Sequence, residues 1–186
     1  MNTINDATSV AVDLTNVTAL AASSLADLGT LATAIGNNEF SNDSGLTTIA
    51  VSDTTIDATT LATRIDSYDS INGDGTTDMT LPSGATINVD ADEVDHMLAD
   101  ESAGRLTIGD QAITVTNAIT VDQANLLTAT TSGVVTATIA TTETVTELAT
   151  LNADGGNNAL TIVIRAADAT ACLLYTSPSP RDLQGS

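Results

Sequence analysis

Apolar residues along this chain alternate with period two in short bursts, and most bursts give way to apolar residues at helical spacing. Val10, Val12 and Leu14 open the series. Ile49 and Val51 follow, then Ile87 and Val89, Ile113 and Val115, then Val135, Ala137 and Ile139, and finally Leu160, Ile162 and Ile164. Alternating β-branched residues predict strands with one buried face. Between them, the stripe from Val17 through Leu20, Leu25, Leu28 and Leu31 to Ile35 predicts a long helix closed by Gly36. Shorter helices are predicted at Ala58–Ile65, at Val94, Met97 and Leu98, at Ala124 with Leu127, and at Val145 with Leu148 and Ala149. Asp57, Asp90 or Asp92, Asp122, and Thr144 with Glu147 as a capping box stand at the strand-to-helix junctions. There a side-chain oxygen takes up a free backbone N–H, at roughly 1 kcal/mol for each cap.

Strand, Thr-rich turn and Leu-Ala-Thr helix recur in the same order in TIAVSDTTIDATTLATRI (48–65) and TATIATTETVTELATL (136–151). Each unit is too small to bury its own apolar face, so the units must stack. Strands separated by helices favour parallel pairing. The expected fold is α/β: a solenoid-like stack of short parallel strands and short capped helices, with tandem all-β sandwiches as the alternative. Residues 1–44 read as an N-terminal strand plus amphipathic helix, and 45–171 as degenerate strand–helix repeats.

Composition narrows the function classes. The formal net charge is −20, and the chain has no lysine. Up to residue 171 its side-chain cations are Arg64, Arg105 and Arg165, with His96 neutral, and its aromatics are Phe40 and Tyr68. Such a surface cannot neutralise phosphates, so neither nucleic acid nor an anionic membrane surface is an expected partner. No run approaches the roughly 18 apolar residues of a membrane span. The single cysteine, Cys172, provides no disulfide framework and no thiolate metal site.

Several residues could carry chemistry. Asp66, Asp69, Asn72, Asp74 and Asp78 crowd around the run Asn72-Gly-Asp-Gly75, and hard oxygen ligands on a sharply turning chain suit calcium. In an EF-hand-like register Asn72, Asp74 and Asp78 are the candidate ligands, although Ser70 and Leu81 replace the expected acids. The alternative is a solvated turn, which is also expected of the second Asx/Gly loop at 152–158. Asp92, His96 and Asp100, at i, i+4 and i+8, would share one helical face. That spacing could chelate zinc or supply an acid–base pair for polysaccharide cleavage, or could simply be a charged helix face. Thr114 and Thr116, with Thr136 and Thr138, form T-x-T pairs that would make an outward hydroxyl ladder. No nucleotide-binding or hydrolase motif is present, and no resident cofactor is expected beyond that candidate calcium.

Residues 172–186, CLLYTSPSPRDLQGS, resemble the translation of a transposase sequencing adaptor. That resemblance implies a non-native, disordered tail after Ala171 and a missing true C-terminus. Residues 113–164, with the core TSGVVTATI, the following Leu-Ala-Thr-Leu and a Gly/Asn turn before an apolar strand, resemble repeats of giant acidic, Thr-rich bacterial surface proteins of the marine, cyanobacterial type. The resemblance implies a non-catalytic structural or adhesive segment, secreted or at the cell surface. Its partners would be neighbouring repeats, with side faces open to carbohydrate or cell contact. The alternatives are a calcium-responsive binding module and a fragment of a carbohydrate-active enzyme using Asp92 and His96.

Overall fold

The computed structural model describes residues 10–41, 45–72, 77–152 and 158–164. Within them the alternating segments form strands, and every strand pair is parallel. Strands β1 (Val12–Asp13) and β3 (Phe40–Ser41) pair with each other. Sheet I is ordered β2 (Ala19–Ser23), β4 (Thr48–Val51), β6 (Asp78–Thr80), β8 (Leu106–Thr107). Sheet II runs β5 (Thr55–Asp57), β7 (Thr86–Val89), β9 (Ala112–Ile119), β10 (Val135–Ile139), β11 (Ala159–Thr161). The helices are α1 (Leu25–Gly36), α2 (Ala58–Asn72), α3 (Val94–Ser102, after a 3-10 turn at Ala91–Glu93), α4 (Val121–Thr130) and the single turn α5 (Val145–Leu148). A complete circuit therefore lays down one strand of sheet I, one strand of sheet II and one helix. The architecture is the α/β stack of parallel strands; the all-β sandwich alternative is excluded by the helices and the parallel pairing.

Register shows how the circuits fit. Leu20, Ile49, Met79 and Leu106 are successive partners in sheet I, separated by 29, 30 and 27 residues. Ile56, Ile87, Ile113 and Val135 are partners in sheet II, and Val89 sits beside Val115. These files point inward: Ile49, Met79, Ile56, Ile87, Ile113 and Val135 are fully buried. Burying each such side chain stabilises the fold by roughly 1.5–3 kcal/mol. Successive helices pack against one another, α1 on α2, α2 on α3 and α3 on α4. Their faces complete the core through Leu28, Leu61, Ile65, Val94, Ala124 and Leu127.

The corners are built by capping residues that hold an extended backbone at the helix start. Ser24 accepts from Asp27 N (3.1 Å), Asp57 from Thr60 N (2.8 Å) and Asp90 from Asp92 N (3.2 Å). Thr120 with Gln123, and Thr144 with Glu147, form capping boxes. Polar side chains also tie one circuit to the next. Asp53 accepts from Leu25 N (2.6 Å), Thr77 donates to Leu46 O (3.2 Å), Gln111 donates to Pro82 O (3.0 Å), Thr131 donates to Gln111 O (2.6 Å) and Asn158 accepts from Val135 N (2.8 Å).

Several sequence expectations change. The stripe from Val17 is not one helix: β2 occupies its first part, because Leu20 is needed in the sheet I file, and α1 begins only after Ser24. Gly36 is the last helical residue, and Asn38 takes the left-handed conformation beyond it (φ 59°). Asp122 lies inside α4; Thr120 is its cap. Segments 48–65 and 136–151 are not simple equivalents. The first spans two strands before its helix, and its β4 belongs to sheet I whereas β10 belongs to sheet II. The division drawn at 44/45 falls between circuits, yet β2–β4 pairing crosses it. The adaptor-like tail, residues 172–186, lies outside the described residues.

Close approach of circuits makes a glycine obligatory at one corner. A Cβ on Gly133 would lie 2.3 Å from Gln111 O and 2.7 Å from Asp110 O, both backbone atoms, whereas one on Gly36 meets nothing within 4 Å. Gly133→Ala is expected to cost about 1–3 kcal/mol through forced backbone movement. Gly36→Ala should be neutral or stabilising by up to about 1 kcal/mol. Paired urea titrations check this, and equal effects at the two positions would contradict the assigned packing.

Candidate functional site

Among the described residues a group of four charges meets where the second, third and fourth circuits come together on the helical side. Helix α2 supplies Asp66 and Asp69, α3 supplies Asp100, and the turn into β8 supplies Arg105. The Arg105 guanidinium hydrogen-bonds Asp69 Oδ2 (2.9 Å), lies 4.0 Å from Asp66 Oδ1 and pairs directly with Asp100 Oδ1. Asp100 is only 1% exposed, so its carboxylate has lost nearly all contact with water. Burial pushes its pKa above the ordinary 3.8, while the neighbouring Arg105 and, more weakly, His96 pull it down. The hydrogen bond to Asp69 holds Arg105 firmly protonated. Among the described residues Asp69 Oδ1, Asp100 Oδ2 and Arg105 Nε have no protein hydrogen-bond partner. One cation thus serves three carboxylates. The arrangement locks α2, α3 and the start of β8 together.

This cluster changes the reading of the acidic loop. Asp66 and Asp69 are not loop residues, because α2 continues through Tyr68 to Asn72. Tyr68 explains the extension: it is fully buried, and its hydroxyl donates to Leu28 O (3.0 Å) on α1. Of the candidate calcium ligands, Asp74 and the Asn72 side chain lie outside the described residues. Asp78 opens β6 and accepts from the Thr107 hydroxyl through both carboxylate oxygens (3.0 and 3.2 Å). The loop at 152–158 likewise lies mostly outside them.

Asp92, His96 and Asp100 do not share a face. Asp92 sits on the exposed 3-10 turn before α3, His96 is exposed with Nδ1 3.6 Å from Glu93 Oε2, and Asp100 turns inward to Arg105. Helical spacing alone placed Asp100 on a solvated row. The signal that could have moved it is Arg105, one of few cations in a strongly acidic chain, lying five residues on.

The hydroxyl ladder forms in part. Thr114 lies beside Thr136, and Thr138 beside Thr161. Register shifts between Thr136 and Thr138, so Thr138 pairs with Ala118 and Thr116 drops out of the row. Thr116 and Asn117 turn instead to Asp90 Oδ2 (3.2 and 2.6 Å). At the opposite edge of the row Asp57 lies beside Asn88, and Asn88 beside Thr114. Hydrogen bonds from Thr60 hold the Asp57 carboxyl below the usual carboxylate range. The outer faces thus carry short polar side chains, several already engaged by a neighbouring circuit. No helix among the described residues is long and apolar enough to cross a membrane.

Comparison with protein-family models, curated proteins and solved structures finds no match for this chain.

Removing Arg105 would leave Asp100 charged and uncompensated in the interior. Arg105→Met is expected to lower stability by about 3 kcal/mol, and Arg105→Met with Asp100→Leu to recover much of that loss. Equilibrium unfolding of the single and double variants checks it, and purely additive losses would refute the coupling. The same buried acid gives a pH signature. Its pKa is raised in the folded chain, so the folded state binds the proton more tightly than the unfolded one. Stability therefore falls as pH rises from about 3.8 through that raised value. Asp57, shifted down, contributes with the opposite sign, its stabilisation being lost only in stronger acid. Thermal melts across pH should show a smaller decline on the alkaline side of 3.8 for Asp100→Asn than for the native chain; superimposable profiles would refute the assignment.

Proposed function

We propose that this chain is a non-catalytic structural and adhesive repeat segment of a large bacterial protein that is secreted or displayed at the cell surface. The observation that carries the reading is the register of the stack. Leu20, Ile49, Met79 and Leu106 in one sheet, and Ile56, Ile87, Ile113 and Val135 in the other, repeat the same rung circuit after circuit. A stack of this kind lengthens by about 4.8 Å for each circuit added, which suits a spacer. Its two outer sheet faces, lined by Thr48, Thr107, Asp57, Thr136 and Thr138, offer wide shallow surfaces for carbohydrate or cell contact. The charge of −20 supports the same reading: it keeps such a surface hydrated and soluble, while salty water with a Debye length of about 3–8 Å screens its self-repulsion.

Load along the stack axis would act along the hydrogen bonds between successive strands, so circuits should peel away singly. Circuits of 27–30 residues would each release about 90–100 Å of extended chain. Single-molecule pulling on the chain held at its two ends is expected to show a staircase of that spacing. One all-or-none rupture would count against a spacer built of serial circuits, and so would featureless stretching.

A further inference from the structure

The two sheets do not begin and end on the same circuit. Sheet I spans β2 to β8, whereas sheet II spans β5 to β11. In the first circuit the chain passes from β2 through Ser24 straight into α1, without laying down a sheet II strand. Asp53 holds Leu25 N at that shortened corner (2.6 Å). Among the described residues the N-terminal end of the stack is therefore one strand short in sheet II, leaving β5 as the last described strand on that side, with Thr55 and Asp57 exposed. At the other end β11 stands as the last described strand of the same sheet. It is followed by Ile162, Val163 and Ile164, which are 45%, 47% and 59% exposed. Among the described residues every exposed large hydrophobic other than Val10 lies beyond residue 125. Among the described residues one end thus lacks a sheet II strand, and the other presents one with an apolar extension.

We propose that a second copy of this chain fills that gap: β11 of one molecule adds in parallel to the free edge of β5 in the next, joining copies head to tail. The contact continues an interface the molecule already uses within itself. β5 pairs with β7, and β10 with β11, in parallel register with aliphatic residues facing inward. Leu160, the rung partner of Ala137, takes the place beside Ile56. The Thr55 N–H lies on the free edge, because Thr86 N donates to Thr54 O (2.9 Å) and so commits the alternate backbone groups to β7. A heterologous contact of this kind does not close on itself and generates an open filament. The charge of −20 on each copy opposes it, so association strengthens with salt. The inference rests on the offset of the sheets and stands or falls independently of the surface-protein reading.

The test uses the full chain under reducing conditions, with mass measured by sedimentation velocity across concentration in low salt and in about 1 M NaCl, where the Debye length is about 3 Å. Two variants each block one end: Thr55→Pro removes the edge N–H of β5, and Ile162→Asp with Ile164→Asp charges the extension of β11. Circular dichroism matching the native spectrum confirms that each variant folds. The native chain is expected to grow beyond dimers in high salt, and each variant alone to remain monomeric. An equimolar mixture of the two should stop at heterodimers, since each variant retains one working end. Three results would overturn the proposal: a native chain monomeric throughout, either variant assembling as the native chain does, or a mixture that stays monomeric.

Discussion

A chain that returns to the same side of a stack once per circuit must bring each strand to rest about 4.8 Å from the one before, with its backbone donors and acceptors in register. That requirement governs most of what this molecule does. It makes every described strand pair parallel and sets circuits of 27–30 residues in sheet I. It also forces like residues onto like, so that Ile56, Ile87 and Ile113 form one continuous buried file. Cohesion then comes from many aliphatic contacts of similar size, and the chain does without a central aromatic core. Among the described residues Phe40 and Tyr68 are the buried aromatics, and Tyr68 ties α2 to α1 through Leu28 O.

Corners carry the second burden. A strand can hand over to a helix in one residue only if that residue keeps extended φ/ψ while its side chain satisfies a helical N–H. Ser24, Asp90, Thr120 and Thr144 all have ψ between 150° and 164°. Between circuits, where no strand ladder runs, Asp53, Thr77, Gln111, Thr131 and Asn158 provide substitute hydrogen bonds. The abundance of Thr and Asp is thus partly architectural. These side chains are short enough to cap a helix or bridge to a neighbouring circuit at the surface.

Against an acidic background the arginines take on unusual weight. Both that lie among the described residues join neighbouring circuits. Arg64 on α2 donates from Nε to Leu25 O (3.0 Å), and its guanidinium lies over Gly29 of α1, where a Cβ would come within 2.5 Å of it. Arg105 gathers Asp69 and Asp100 from two helices. Glycine in the middle of α1 costs roughly 1 kcal/mol of helix propensity, and the seat it leaves for Arg64 is the compensation. The positive charges are therefore spent holding the helical side together, which leaves the outer sheet faces to neutral hydroxyls and acids.

Period and capping chemistry determined a good deal on their own. Alternation at Ile87–Val89, Ile113–Val115 and Val135–Ile139, helical spacing at Ala58–Ile65 and Val94–Leu98, and the Thr144–Glu147 box were all legible, because each is a local pattern that one element satisfies alone. With them came the α/β class and the need to stack. Tertiary structure decided the rest. Ala19–Ser23 and Thr55–Asp57 are too short or too ambiguous for periodicity, and become strands only because β4 and β7 offer register partners. Asp100 looked solvated until the fold brought Arg105 and α2 against it, and Thr116 left its expected row when β9 and β10 slipped register. Of the candidate calcium ligands, Asp78 alone has a described side-chain partner, Thr107, and that partner lies on the neighbouring strand of sheet I. Sequence spacing describes one element at a time, whereas burial, register and charge pairing here depend on which circuits come to lie side by side.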